Sequence, residues 1–134
     1  MIDPVKLTAL IEPLQRVVVL CPRRCGKGAF LTNYIDNQTC ETVFLGLTAN
    51  VCRDMRLHLN RNVLCTTGGA NNRAEIRRAA LLVIDEGLFM NEAVLFPLFD
   101  DQRIVVLSSL TPDMNHVGRR FAAAGFVTID APLL

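Results

Sequence analysis

The chain has 134 residues, 51% of them hydrophobic, with a formal net charge of +1 and five cysteines. That composition supports one domain with a real core and excludes a disordered chain. No apolar run approaches the roughly 18–20 residues that span a bilayer, the first residues lack a secretion-signal pattern, and cysteines at 21, 25, 40, 52 and 65 follow no disulfide or metal-ligand spacing, which suits a reducing intracellular setting.

Asp3-Pro4 reads as an N-cap followed by Pro at the first helical position, and Leu7, Leu10, Ile11 and Leu14 recur at helical spacing, which predicts a short helix over 4–12 that Pro13 ends. Gln15 stands just before the first strand, where a Gln reads adenine in some motor ATPases. Val17 to Leu20 is short, continuous and β-branched, the pattern of a strand buried on both faces. A tight basic turn follows, Cys21-Pro22-Arg23-Arg24-Cys25-Gly26-Lys27-Gly28, and then a helix with Phe30, Leu31, Tyr34 and Ile35 on one face. Thr42 to Leu47 predicts a second strand. Thr48 caps a helix whose Val51, Cys52, Met55 and Leu59 share a face, with Arg53, Asp54, Arg56 and Arg61 mostly away from it.

Asn62 to Thr66 has the makings of another short strand, residues 66–72 read as a loop, and Arg73 to Arg78 as a helical turn or part of a mobile basic arm. Ala79 to Ile84 predicts a strand that runs straight into Asp85-Glu86. Glu92 to Phe99 is helix-like, shortened by Pro97. Arg103 to Leu107 is a further strand, ending in Ser108-Ser109. Thr111 is the expected N-cap of a helix carrying Met114, Val117 and Phe121 and closed by Gly125; Phe126 to Ile129 is the last strand.

Strands alternating with helices predict a mainly parallel α/β sheet of about five strands, which gathers ligands at the carboxyl ends of its strands. Three polar clusters fall at such ends: the basic turn after Leu20, Asp85-Glu86 after Ile84, and Ser108-Ser109 after Leu107. Strand, Gly-Lys turn and helix start make a phosphate-binding loop, whose backbone N–H groups and helix dipole face an anion. Lys27 is expected to reach the β- and γ-phosphates, and Gly26 to let the backbone approach them. Arg23, Arg24, Cys25 and Gly28 complete the cradle, and Arg24 is a candidate to stabilise charge on the transferring phosphoryl group. Asp85 is the candidate Mg²⁺ ligand and Glu86 the candidate base for the attacking water. Ser108 and Ser109 are placed to sense the γ-phosphate, on a strand expected between the loop strand and the Asp-Glu strand. The loop departs from the common pattern twice: Cys21 replaces the leading Gly, and Gly28 the hydroxyl residue that normally holds Mg²⁺. Twelve of fourteen basic residues are Arg, and six lie between Thr48 and Ala80, as a surface that contacts DNA phosphates needs.

Cys-Pro-Arg-Arg-Cys-Gly-Lys is similar to the phosphate loop of the large terminase subunit of herpesviruses, related to tailed-phage terminases. Leu82-Val-Ile-Asp-Glu-Gly-Leu-Phe89 resembles that family's Walker B segment and Val105-Val-Leu-Ser-Ser-Leu-Thr111 its coupling motif. The resemblance covers most of residues 16–111. It implies a P-loop NTPase sandwich of the additional-strand, catalytic-Glu branch, spanning residues 1–134 as one ATPase core. It further implies Mg²⁺-dependent ATP hydrolysis that drives double-stranded DNA into a procapsid, in the host nucleus. Partners would be the portal, other terminase subunits and copies of itself in a ring, with no membrane involved. The family's C-terminal nuclease domain has no counterpart in these residues. Two further readings stand beside this one: a nucleotide-binding structural or regulatory subunit without turnover, which Gly28 favours, and a helicase-type ATPase, which shares the motifs but pairs them with a second motor domain.

Overall fold

The computed structural model describes residues 1–134 apart from the side chain of Ala70. Six strands, β1 (Arg16–Leu20), β2 (Thr42–Leu45), β3 (Leu64–Thr66), β4 (Leu81–Asp85), β5 (Arg103–Ser108) and β6 (Val127–Asp130), form one sheet in the order β3-β2-β4-β5-β1-β6. Every pairing is parallel. The connecting helices are α1 (Pro4–Ile11), α2 (Lys27–Asp36), α3 (Ala49–His58), α4 (Arg73–Arg78), α5 (Glu92–Leu95) and α6 (Met114–Ala123).

The inner strands are apolar through their middles, with polar residues at their ends, because helices cover both faces of the sheet. Successive residues then divide between two layers. Val17, Val19, Val83, Val105 and Leu107 pack with Leu7 and Ile11 of α1, Leu31 and Ile35 of α2 and Met55 of α3. Val18, Leu82, Ile84, Ile104 and Val106 pack on the opposite face with Ile76 of α4, Leu95 of α5 and Val117 and Phe121 of α6. The result is a three-layer sandwich.

Several expectations change in detail. The sheet has six strands, not about five: β3 is short but adds to the free edge of β2, with Cys65 buried under α3. Residues 73–78 form a helix and not a mobile arm, because Ile76 is fully buried and Arg77 donates to the Pro97 carbonyl at 2.7 Å. Strand β4 begins at Leu81, since Ala80 and Leu81 both donate their N–H to the Glu41 carbonyl, and it includes Asp85. The N-cap of α6 is Asp113; the Thr111 hydroxyl instead accepts from the Asp113 N–H in a turn of its own. Helix α5 stops after one turn and passes into a 3₁₀ turn, Phe96–Leu98, at the expected Pro97.

Strand β5 lies between β1 and β4. The register pairs Leu20 with Ser108 and Asp85 with Leu107, so three carboxyl ends stand side by side.

Candidate functional site

Both ends of the basic turn are anchored before it reaches any ligand. Cys21 N–H donates to the Ser108 carbonyl at 2.8 Å, and the Cys25 carbonyl accepts from Ile2 N–H at 2.7 Å. Gly26 then takes φ +80° as the N-cap of α2, a left-handed conformation that suits glycine, and its carbonyl accepts the first helical bond from Phe30. Residues Pro22 to Gly28, together with Ser109, line a cavity of about 530 Å³ at the start of this ten-residue helix. Its N-terminal N–H groups and dipole favour an anion there. Arg23 and Arg24 are exposed at its rim, and neither joins an ion pair among the described residues.

Lys27 reaches from α2 to the end of β4. Its ammonium lies 2.7 Å from Asp85 Oδ1 and also contacts Glu86 Oε1. Burial works against the Lys27 charge, but the two carboxylates outweigh it and hold its pKa above the ordinary value. Burial raises the pKa of Asp85; the ammonium opposes that rise and the neighbouring Glu86 adds to it, leaving it net raised. Asp85 Oδ1 is buried and has no hydrogen-bond partner among the described residues, so the ammonium is its one compensating contact. Glu86 Oε1 also accepts from the Ser109 N–H at 3.2 Å and the Ser109 hydroxyl at 3.1 Å. A link therefore runs from Lys27 through the β4 carboxylates to the end of β5.

Arg24 (φ +54°) and Glu86 (φ +59°) are the only non-glycine residues at positive φ among the described residues. Such backbone costs on the order of 1–3 kcal/mol per residue and persists where the surroundings enforce it. At Glu86 the enforcement is visible. Its N–H is held by the Leu107 carbonyl at 2.8 Å, and a Cβ on the following Gly87 would lie 2.8 Å from a Val106 methyl. The turn brings Glu86 onto the same cation as Asp85, although successive strand residues normally point apart.

The remaining expected site residues divide. Ser109 joins the cluster. Ser108 is fully buried, and its hydroxyl donates to the Ser109 carbonyl at 3.0 Å, so it secures the strand end instead of facing the cavity. Gln15 lies at the opposite, amino-terminal end of β1, donating to the Asp101 carbonyl at 3.0 Å, and it cannot read a base bound at the loop. Arg56 donates to the Cys65 carbonyl, and Arg61 to the carbonyls of Ile35 and Cys40. These two arginines hold backbone, which sequence spacing could not reveal. Missed altogether were the Lys27 bridge between both carboxylates and the backbone turns at Arg24 and Glu86; the glycines that follow closely, Gly26 and Gly87, were the available signal.

The residues fit a Mg²⁺ ion bound together with phosphates. Asp85 offers a hard carboxylate oxygen that, among the described residues, faces a movable ammonium. Mg²⁺ needs one or two carboxylates plus substrate oxygens and keeps several waters, so the missing hydroxyl at Gly28 is compatible with it.

No family model matches the chain, and no curated protein matches it. Among solved structures it is similar to a chain from a study of DNA unwinding at forked double-stranded DNA by two coordinating Pif1 helicases. The TM-score is 0.58 at 14% identity, over 97% of this chain and 43% of that one. The chain has the fold of a P-loop NTPase sandwich. It spans less than half the length of that helicase chain, and at this identity the likeness speaks for the fold alone. None of the three comparisons points to a terminase; the resemblance to that family rests on the loop and the two strand-end motifs.

Proposed function

We propose that residues 1–134 form a single ATP-binding and hydrolysing core of a motor that acts on double-stranded DNA. The observation that carries this reading is the meeting of Lys27, Asp85, Glu86 and Ser109 at three adjacent strand ends, beside an anion-ready helix start. Arriving phosphates offer Lys27 a better-matched partner than two partly buried carboxylates, so it leaves them for the β- and γ-phosphates. Asp85 is thereby freed to hold Mg²⁺, which when bound neutralises phosphate charge. Glu86, held by Ser109, accepts a proton from the water that attacks the γ-phosphate. Arg23 and Arg24 are free to pair with phosphate oxygens, Arg24 as the residue that follows the developing charge.

The terminase-like loop supports DNA packaging as the motor's task, with portal and other terminase subunits as partners and a ring of copies as the working form. The helicase-like fold is equally compatible with a translocating ATPase of another kind. Gly28 favours the competing reading, a nucleotide-binding subunit without turnover. Steady-state ATP hydrolysis by the purified chain, with and without double-stranded DNA, separates them. The motor reading expects Mg²⁺-dependent turnover that DNA stimulates; bound but unhydrolysed ATP under both conditions supports the regulatory subunit.

A further inference from the structure

Two cavities adjoin the phosphate-loop cavity, one on each flank of α2. One, of about 690 Å³, includes Gly28, Asp36, Asp54 and Asp85. Its carboxylates repel a polyphosphate and its Asp85 belongs to the metal side. The other, of about 330 Å³, shares Cys25 and Gly26 with the phosphate cavity and is closed by Ile2, Pro4, Ala29 and Leu134. A nucleotide whose phosphates lie on the loop can place its base in this second slot without crossing a charged surface. The slot is almost wholly apolar, as a stacked base requires.

Its walls offer a base almost nothing to bond. The backbone groups there are already paired with one another: Ile2 N–H with the Cys25 carbonyl at 2.7 Å, Leu134 N–H with the Met1 carbonyl at 2.9 Å, and Asp3 N–H with the Pro132 carbonyl at 2.8 Å. The Asp3 carboxylate is occupied as the N-cap of α1, accepting from Lys6 N–H at 3.1 Å. Asn33 is the one polar side chain on the slot's α2 wall, and its carbonyl already accepts from Asn37 at 3.3 Å. Strong discrimination between nucleotides needs buried polar groups that are left unpaired by the wrong base; an apolar pocket separates near-isosteres poorly.

We propose that this slot, formed where residues 1–4 meet residues 131–134, takes the nucleobase without reading it, so that the site accepts ATP and GTP nearly alike. The proposal rests on the phosphate-loop reading. Affinity would come from the phosphates and from apolar contact with any purine. Ala29 is exposed on α2 at the border of both cavities, so a larger side chain there narrows the slot without disturbing the core.

Equilibrium titration of the full chain with Mg²⁺ and ATP, GTP or inorganic tripolyphosphate tests it, in the wild type and in Ala29→Phe and Asn33→Ala variants. The expected result is ATP and GTP within about threefold of each other, both at least about tenfold tighter than tripolyphosphate. Ala29→Phe should reduce both nucleotides to the level of tripolyphosphate, leave tripolyphosphate itself unchanged, and keep the wild-type circular dichroism. Asn33→Ala should leave the ATP-to-GTP ratio where it was. A preference of tenfold or more for one purine, a ratio that moves with Asn33, or undiminished ATP affinity in Ala29→Phe overturns the unread slot while the phosphate-loop reading survives. Nucleotides no tighter than tripolyphosphate also overturn it. Failure of all three ligands to bind removes the phosphate-loop reading, and this proposal with it.

Discussion

The two ends of the sheet carry cations in opposite ways. At the amino-terminal end every noted cation closes on protein. Arg16 donates to the carbonyls of Ala124 and Asp100, and its guanidinium lies 5.7 Å from the Phe99 ring centroid and 5.8 Å from that of Phe126. Arg103 donates to the carbonyls of Leu14 and Ile11, tying the turn after α1 to β5. The buried Gln102 donates to the Ile76 and Leu98 carbonyls at 3.2 and 2.9 Å. At the carboxyl end Arg23 and Arg24 hold no ion pair among the described residues, Lys27 is shared by two carboxylates, and two side-chain-bearing residues sit at positive φ. One end has satisfied its polar groups permanently with backbone. The other keeps them in arrangements that a polyanion can replace. An arginine's partner, more than its place in the sequence, separates the structural from the functional.

That contrast breaks most visibly at Glu86. Glu86→Gln removes the proposed base and retains the proposed phosphate cradle, so turnover should fall about 10²–10⁴-fold, the usual range for proton transfer by a positioned side chain, while ATP affinity changes little. Single-turnover and binding assays on one preparation check this; a parallel loss of binding would make Glu86 structural, like the cations of the other end.

Lys27→Ala comes next. The ammonium proposed to meet the phosphates disappears, and ATP affinity should fall roughly 100-fold, which corresponds to about 2.7 kcal/mol. The variant also leaves Asp85 and Glu86 facing each other without a cation, so the unliganded protein should lose stability in a denaturant titration.

Arg103→Ala is the matching change at the opposite end. Two carbonyls lose a charged donor, which should cost about 1.5–3 kcal/mol of folding stability, with ATP affinity unchanged within twofold. A selective loss of ATP binding there would erase the distinction between the two ends.

The smallest expected effect is a gain. No atom lies within 4 Å of a Cβ placed on Gly28, so a side chain fits without clash. Gly28→Thr restores a hydroxyl for Mg²⁺ and stiffens the first turn of α2. A tenfold faster ATPase needs only about 1.4 kcal/mol of added transition-state stabilisation. Rates measured against Mg²⁺ concentration for both forms test it; no gain would mean that the coordination position is met in another way.

Much of this was legible in the sequence because it depends on local chemistry. Val17–Leu20, Ala79–Ile84 and Arg103–Leu107 read as strands from their continuous apolar residues, and the polar residues after them were expected to emerge at one edge of a parallel sheet. The placement of β5 between β1 and β4 followed from the Ser108-Ser109 ending as part of the same pattern. What was not legible depends on where long side chains end. Arg61 and Arg73 read alike in sequence, yet Arg61 reaches two carbonyls 21 and 26 residues away. Gln15 sits one residue before the loop strand, but a strand runs away from its first residue, and that places Gln15 at the far end of the sheet. Ser108 and Ser109 are neighbours, yet Ser108 closes β5 with its hydroxyl on the Ser109 carbonyl, and only Ser109, just past the strand, reaches Glu86. The Lys27 bridge arises because Glu86 leaves the extended conformation, a backbone event whose one sequence signal is the glycine that follows it, Gly87.

Isothermal titration of Mg²⁺-ATP into three forms of the chain, wild type, Lys27→Ala and Arg103→Ala, tests the division between the two ends most directly. Saturable binding by the wild type, retained by Arg103→Ala and lost about 100-fold by Lys27→Ala, is the result predicted. Equal affinity for all three forms, or no binding by the wild type, would contradict a nucleotide site at the carboxyl end of the sheet.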